Sequence, residues 1–324
     1  MLTAERPRAV RAASATDLAD SDRLRLYAAL PAMPSISRPL REFAPLPGGL
    51  TNRNYRFVDG NGRQAVARIS EPATALLAID RDAEYRNATI AAGFGVGPQV
   101  LGYAAGEGIS VVEWIEGRTF EAADLDDSAT LVRLAAACRR LHAAPRFVTD
   151  FDMFAIQQRY LAIVLEHGYR VPSDYESYAP LVEQIQRALE VHPQRTVPCH
   201  NDLLAANIMD DGRQLWLIDY EYAGNNDPCF ELGNIASESH LTTSRLAELV
   251  AAYFGHESPA LTARARLWAL MSNYGWTLWA AIQDSVSDVD FDFWAWGLEK
   301  YERAVAEFGS GALSQLIDDV MQVN

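Results

Sequence analysis

Apolar and polar positions alternate over three short runs near the start of the chain. Residues 43–46, 54–58 and 64–69 each read as a strand, because a period of two sends successive side chains to opposite faces. Pro47-Gly48-Gly49 and Asp59-Gly60-Asn61-Gly62 supply turns between them, so the three predict an antiparallel meander. The period then changes. Over residues 74–92, Leu76, Leu77, Ile79, Ala83 and Ile90 fall largely on one side of a helix that Gly93 ends. Residues 100–103 and 109–115 add two strands, and Glu116-Gly117 closes the block. Beyond it the spacing is helical over 129–142, 153–166, 178–191 and a long run at 259–285. One stretch, 196–222, reads instead as strand, loop, strand, turn, strand. The pattern predicts an α+β protein of two lobes. Residues 38–117 form a small antiparallel β lobe with one helix, and 118–324 a larger α-rich lobe holding a β insert. Residues 1–37 are expected to be an extension, flexible or loosely docked, with a short helix over 21–30.

Composition narrows the possibilities. A chain of 324 residues, 49% hydrophobic and 22% charged, is a folded protein long enough for two lobes. Its formal charge of −15 repels phosphate backbones and anionic headgroups. It argues against a nucleic-acid or membrane-surface partner and favours cationic ligands. No apolar run approaches the roughly 18–20 residues of a membrane span. Cys138, Cys199 and Cys229 show no metal-type spacing and are too few for a disulfide framework, so a cytoplasmic, reducing setting is expected. Arginines mixed with Ala and Ser near the start suggest a transit peptide, but Glu5, Asp17, Asp20 and Asp22 are wrong for one.

The β insert carries the chemistry. It reads CHNDLLAANIMDDGRQLWLIDYEYAG, with Asp202 and Asn207 five apart and Asp219 twelve later. Two carboxylates and a carboxamide on hairpin-forming segments can converge, and phosphoryl transfer needs that set. One carboxylate accepts the proton of the attacking hydroxyl; the carboxamide and the other carboxylate hold Mg²⁺ on nucleotide phosphates. Kinase catalytic loops use the same Asp-to-Asn spacing.

His200-Asn201-Asp202 with Asn207, then Ile218-Asp219-Tyr220-Glu221-Tyr222-Ala223, resembles the choline/ethanolamine kinase branch of the aminoglycoside phosphotransferase-like superfamily. Gly48-Gly49-Leu50-Thr51-Asn52 followed by Asn54-Tyr55 is similar to that branch's nucleotide-loop signature. The resemblance covers roughly residues 40–305 and implies a protein-kinase-like fold, ATP with Mg²⁺, and a small cationic alcohol as acceptor. It makes Asp202 the catalytic base and Asn207 and Asp219 the metal ligands. His200 becomes a support for the loop, and Glu221 either a neighbour of the metal or a tie for the loop. On the nucleotide side, Gly49, Thr51 and Asn52 occupy the phosphate loop. Arg68 stands where protein kinases carry a lysine; its planar fork suits two phosphate oxygens without being equivalent. Glu84 is its natural partner. Glu113, Trp114 and Ile115 match the hinge that meets adenine, and Ile218 packs beneath the base.

Five of the seven tryptophans lie between 268 and 296. Trp276 and Trp279, three apart, share a helix face, and several aromatic faces around one pocket attract a quaternary ammonium. Gly275 to Trp279, with Gln283, is similar to the segment that supplies two cage tryptophans in choline kinases; Trp296 supplies a third wall. Trp268 reads as core. Glu238 adds a negative charge near the ammonium. One departure bears on the acceptor: Glu231 stands where the branch usually has Asp, at a position read as a loop anchor. The resemblance thus implies a choline kinase making phosphocholine. Alternatives are an ethanolamine, aminoglycoside or other small-alcohol kinase, or a catalytically inactive kinase-like binding module. Intact Asp202, Asn207 and Asp219 argue against the last.

Overall fold

The computed structural model describes residues 15–70, 76–77 and 79–322. The chain divides into two compact units. One comprises Met1–Glu71 with Leu101–Trp114, the other Pro72–Val100 with Ile115–Asn324.

In the first unit, helix α1 (Ala15–Ala29) precedes strands β1 (Arg41–Leu46), β2 (Asn52–Val58) and β3 (Gln64–Ser70). After helix α2 (Arg81–Gly93), which belongs to the second unit, come β4 (Val100–Ala104) and β5 (Ile109–Glu113). They form one sheet in the order β1-β2-β3-β5-β4. The alternation read from the sequence is its register. Tyr55 and Phe57 on β2, Ala65, Ala67 and Ile69 on β3, and Ile109 and Val111 on β5 are buried together.

Residues 15–36 depart from expectation. Leu26, Leu30, Met33 and Ile36 join that same core. Asp22, only 2% exposed, accepts hydrogen bonds from Arg53 Nη2 (2.9 Å) and Tyr55 Oη (2.8 Å). The segment is therefore an integral part of the unit, and its helix is longer than the reading over 21–30. The sequence hides this because α1 is polar on average; Leu26, Ala29, Leu30, Met33 and Ile36, with the carboxylate of Asp22, do the docking.

The second unit holds β6 (Arg118–Thr119), α3 (Ser128–His142), α4 (Met153–His167) and α5 (Ala179–Val191). The insert follows with β7 (Val197–Cys199), β8 (Ile208–Asp210), β9 (Leu215–Leu217) and β10 (Gly224–Asn226). Then come α6 (Pro228–Glu238), α7 (Thr243–Phe254), α8 (Pro259–Val286), α9 (Phe293–Phe308) and α10 (Leu313–Met321). Strands β6, β8 and β9 make one small sheet, β7 and β10 another. Helix α8 is buried along most of its length, from Ala263 to Gln283, and α4, α6, α9 and α10 all pack on it. Its polar side chains Arg264, Ser272, Asn273, Thr277 and Gln283 are buried along with its apolar ones.

Helix α2 starts later than its periodicity suggests. Asp80 accepts from the backbone N–H groups of Asp82 and Ala83, a side-chain cap that fixes the start at Arg81. Residues 74–75 and 78 of the earlier stretch lie outside the described residues. Asn87 ties α2 into the larger unit, donating to the Ala223 carbonyl (2.8 Å) and accepting from the Val148 amide (3.0 Å). The reading that placed this helix in the small lobe is corrected by those buried polar ties. Among the described residues, no helix is long and apolar enough to cross a membrane.

Candidate active site

The loop after β7 is fixed before it does anything else. Asn201 has φ +66°, a left-handed conformation that Asn tolerates better than most residues. Its Nδ2 donates to the carbonyls of Tyr222 (3.0 Å) and Gly224 (3.2 Å), and its Oδ1 accepts from Asn226 Nδ2 (2.9 Å). The amides of His200 and Asn201 donate one each to the two oxygens of Glu231, both at 2.8 Å. Leu203 N–H donates to Asn234 Oδ1 (2.8 Å), and Asn234 in turn donates to Ser272 on α8 (3.0 Å). Glu231 is thus the anchor it was read to be, completely buried on the first turn of α6. Burial would raise its pKa. The hydrogen bond and charge of His142, then the charge and amide of His200, outweigh that and hold it below the usual value.

This frame brings the insert's three polar side chains together. Asn207 Nδ2 donates to the Asp202 carbonyl at 2.9 Å and stands 3.5 Å from its carboxylate. Strands β8 and β9 pair Ile208 with Leu217, and Ile218 N–H donates to the Asn207 carbonyl at 2.9 Å. Asp219, next in the chain at φ +72°, is carried to the same end of the hairpin. His200 Nε2 bonds the Ile218 carbonyl at 2.8 Å, tying the two segments from below. Glu221 pairs with Arg81 (3.2 Å), which also holds Glu84 (2.6 Å). Burial pushes the Asp202 carboxyl well up from its ordinary pKa, and the carboxylates of Glu238, Asp219 and Glu221 push the same way, against Lys300. A carboxylate so placed holds a proton more tightly than one in water, which suits a base for a hydroxyl.

Beside it stand aromatic side chains. Trp279 Nε1 donates to Tyr222 Oη (2.8 Å), and the Tyr222 and Trp276 rings meet edge to face at 4.9 Å. Trp279 also meets Trp296 edge to face at 5.5 Å. Trp276 and Trp279 are 4% and 6% exposed. Trp268 is core, as read, donating to Asp227 (2.9 Å). Glu238 is present but already carries a counter-ion, since Lys300 Nζ lies 2.6 Å from its Oε1.

The remaining predicted residues fall in both units. In the first, Gly48 and Gly49 have φ +86° and +92°. A Cβ on Gly49 would come within 2.5 Å of the Asn52 carbonyl oxygen, so the loop admits only glycine there. Thr51 Oγ1 accepts from Asn52 Nδ2 (2.8 Å). Arg68 lies on β3 between Asn54 and Ser110 of the neighbouring strands. Glu113, at the end of β5, is paired with Ala65 and exposed. In the second unit, Glu84 sits on α2 in its ion pair with Arg81, and Ile115 and Ile218 are half-buried. The sequence reading quoted Asn201 and Tyr222 within its motifs without a role for either, and gave none to Asn234, Arg81 or Lys300. Lys300 had a signal: it lies four residues after Trp296 on a helix, and so on its face.

The donor set fits a hard divalent cation. With Asn207 Nδ2 turned to Asp202, the carboxamide offers its oxygen, and Asp202 and Asp219 offer carboxylates; oxygen donors are what Mg²⁺ takes. His142, Cys199 and Glu231 also converge beneath the loop, with ligand atoms within 4.8 Å. There the Glu231 oxygens already hold the loop amides.

Comparison with known proteins bears on this geometry. The model of a family described as "Phosphotransferase enzyme family" matches residues 42–268. Ethanolamine kinase 1 of Homo sapiens is 26% identical over 295 residues, which span 79% of this chain but only 65% of that protein. Probable choline kinase 2 of Arabidopsis thaliana is 23% identical, with 80% and 83% covered. Among solved structures, a choline/ethanolamine kinase family protein from Mesorhizobium loti matches with a TM-score of 0.77 and 30% identity, covering 93% of this chain and 98% of that one. Choline kinase LicA from Streptococcus pneumoniae matches with a TM-score of 0.72 at 22% identity, covering 90% and 99%, and a second LicA structure is a complex with AMP. The chain belongs to the phosphotransferase enzyme family, and within it to the choline/ethanolamine kinase family. It is a phosphotransferase, and its α+β architecture is the protein-kinase-like fold the resemblance implied.

Proposed function

We propose that this protein transfers the γ-phosphate of ATP to the hydroxyl of choline, with Mg²⁺, giving phosphocholine. The observation that carries the reading is the aromatic set of Trp276, Tyr222 and Trp279 in the same unit as the assembled Asp202, Asn207 and Asp219. Asp202 takes the hydroxyl proton as the oxygen attacks phosphorus. Asn207 and Asp219 hold the metal through oxygen. Bound there, Mg²⁺ neutralises charge that develops on the phosphates. In the small unit, Gly49, Thr51, Asn52 and Arg68 offer their groups to the phosphates. In the larger unit, Ile115 and Ile218 offer adenine a main-chain and an apolar contact. A methylated ammonium cannot donate N–H hydrogen bonds, so aromatic faces suit it. Ethanolamine would leave N–H donors unpaired against them.

The test is a panel of amino alcohols and aminoglycosides with ATP, with and without Mg²⁺, reading ADP release and the phosphorylated product by mass spectrometry. Metal-dependent phosphocholine formation, faster than phosphoethanolamine formation, is expected. Preference for ethanolamine or an aminoglycoside would replace the acceptor, and no turnover with any alcohol would leave a binding module.

A further inference from the structure

Trp296 and Glu238 are two of the groups that the acceptor reading assigns to the ammonium, and both already hold one. Lys300 Nζ lies 2.6 Å from Glu238 Oε1 and 4.2 Å from the centroid of the Trp296 ring. Its side chain is 2% exposed and that of Glu238 6%. Charges so withdrawn from water persist only when paired. Arg303, on the next turn of α9, donates its Nη1 to the Ser237 carbonyl at 2.7 Å. Of the two cations, Lys300 is therefore the one bonded to the carboxylate. An aromatic face plus a carboxylate is the composition of an ammonium site. In this chain the site is filled from within, by a group whose tether gives it a high effective concentration.

We propose that Lys300 is a tethered occupant of the acceptor's cation subsite and a specificity-determining residue: an incoming ammonium competes with it for the Trp296 face and the Glu238 carboxylate. The inference rests on the amino-alcohol reading above. An acceptor gains from these two groups only what exceeds the contacts Lys300 gives up. The competition lowers the affinity of any ammonium acceptor, choline included, below what a free aromatic face and carboxylate would give.

Lys300→Met keeps an unbranched side chain and removes the charge. Tetramethylammonium is the probe, titrated calorimetrically into the wild-type protein and the variant. The variant should bind it about 2- to 30-fold more tightly, the range that one aromatic face commands. Its melting temperature should rise with the ion, because unpaired Glu238 regains a counter-ion. The choline KM should fall by a similar factor with the ATP KM unchanged. Equal or weaker tetramethylammonium binding would overturn the proposal and leave Lys300 a structural counter-ion. Should Lys300→Met fail to fold, the double variant Glu238→Gln, Lys300→Met leaves no unpaired buried charge at this pair and opens the Trp296 face. It must still bind tetramethylammonium more tightly than wild type, and no gain would overturn the proposal equally. If neither protein phosphorylates any amino alcohol, the kinase reading falls while the titration still decides the role of Lys300.

Discussion

Asp202 is a half-buried carboxyl and Glu231 a fully buried one, and their surroundings push them in opposite directions. Asp202 faces other carboxylates; Glu231 faces two amides and a histidine. The first is suited to take a proton and the second to refuse one. Asp202→Asn should keep the fold and nucleotide binding while lowering turnover by about 10²–10⁴-fold, the usual contribution of a general base. Steady-state ADP release beside a nucleotide titration checks this, and a variant retaining more than about a third of wild-type turnover would end the assignment. Glu231→Gln should act on stability, because it turns an amide NH₂ toward a backbone N–H. The cost is about 1–3 kcal/mol, that of a buried group left unsatisfied. The sign with pH follows from the lowered folded value. Glu231 contributes fully above the ordinary glutamate pKa of about 4.3 and loses its contribution as pH falls through the lower folded value. Denaturant melts across that window should show the wild-type advantage over Glu231→Gln shrinking on acidification; a constant gap would mean that Glu231 does not titrate with unfolding.

At the scale of elements, α8 explains why Trp276 and Trp279 are not interchangeable although they share a face. The Trp279 indole is hydrogen-bonded to Tyr222 and packed edgewise on Phe293 and Trp296. The buried Trp276 Nε1 finds no hydrogen-bond partner among the described residues. Trp276→Leu should raise the choline KM by about 2- to 30-fold with the ATP KM unmoved, and lower the melting temperature less than Trp279→Leu does, since it loses ring contacts with Tyr222 and Phe151 but no hydrogen bond. Trp279→Leu should lose both acceptor affinity and several degrees of melting temperature, since a buried hydrogen bond and two ring contacts go with it. The choline-to-ethanolamine ratio of kcat/KM, measured with melting curves, decides. An unchanged ratio in both variants would make the pair ordinary core. The helices themselves were legible in the sequence, because apolar spacing fixes them and residues such as Asp152 and Ser258 cap them. So was the convergence of Asp202, Asn207 and Asp219, since a hairpin of fixed register joins them. Long-range polar partners were not. Nothing local in the sequence says that Arg81 holds Glu221 or that Lys300 holds Glu238; those pairings exist only once segments far apart in sequence have packed.

At the scale of the whole molecule, the same blindness hid the docking of α1. A charged segment was read as loose because its one buried carboxylate has its partners on β2. Asp22→Ala should destabilise the small unit by roughly 3 kcal/mol, the low end for a broken buried pair because Arg53 reaches solvent. Hydrogen exchange over residues 15–36 and 52–58 should rise together. Unchanged protection would mean that Leu26, Leu30 and Met33 hold the helix alone. The small unit has a further property, which bears on how the chain is made. It is discontinuous: Pro72–Val100 belongs to the larger unit and interrupts it, and Ile69 on β3 pairs with Ile109 on β5 beyond that interruption. A chain leaving the ribosome therefore exposes β3 as an open edge until the whole of α2 has followed, with apolar Ala65, Ala67 and Ile69 awaiting their cover. Open apolar edges are where nascent chains aggregate or are captured by chaperones. Slow translation across α2, or a fragment stopped at Glu71, lengthens that exposure, so the delay between these two strands bears on aggregation independently of the stability of the finished fold.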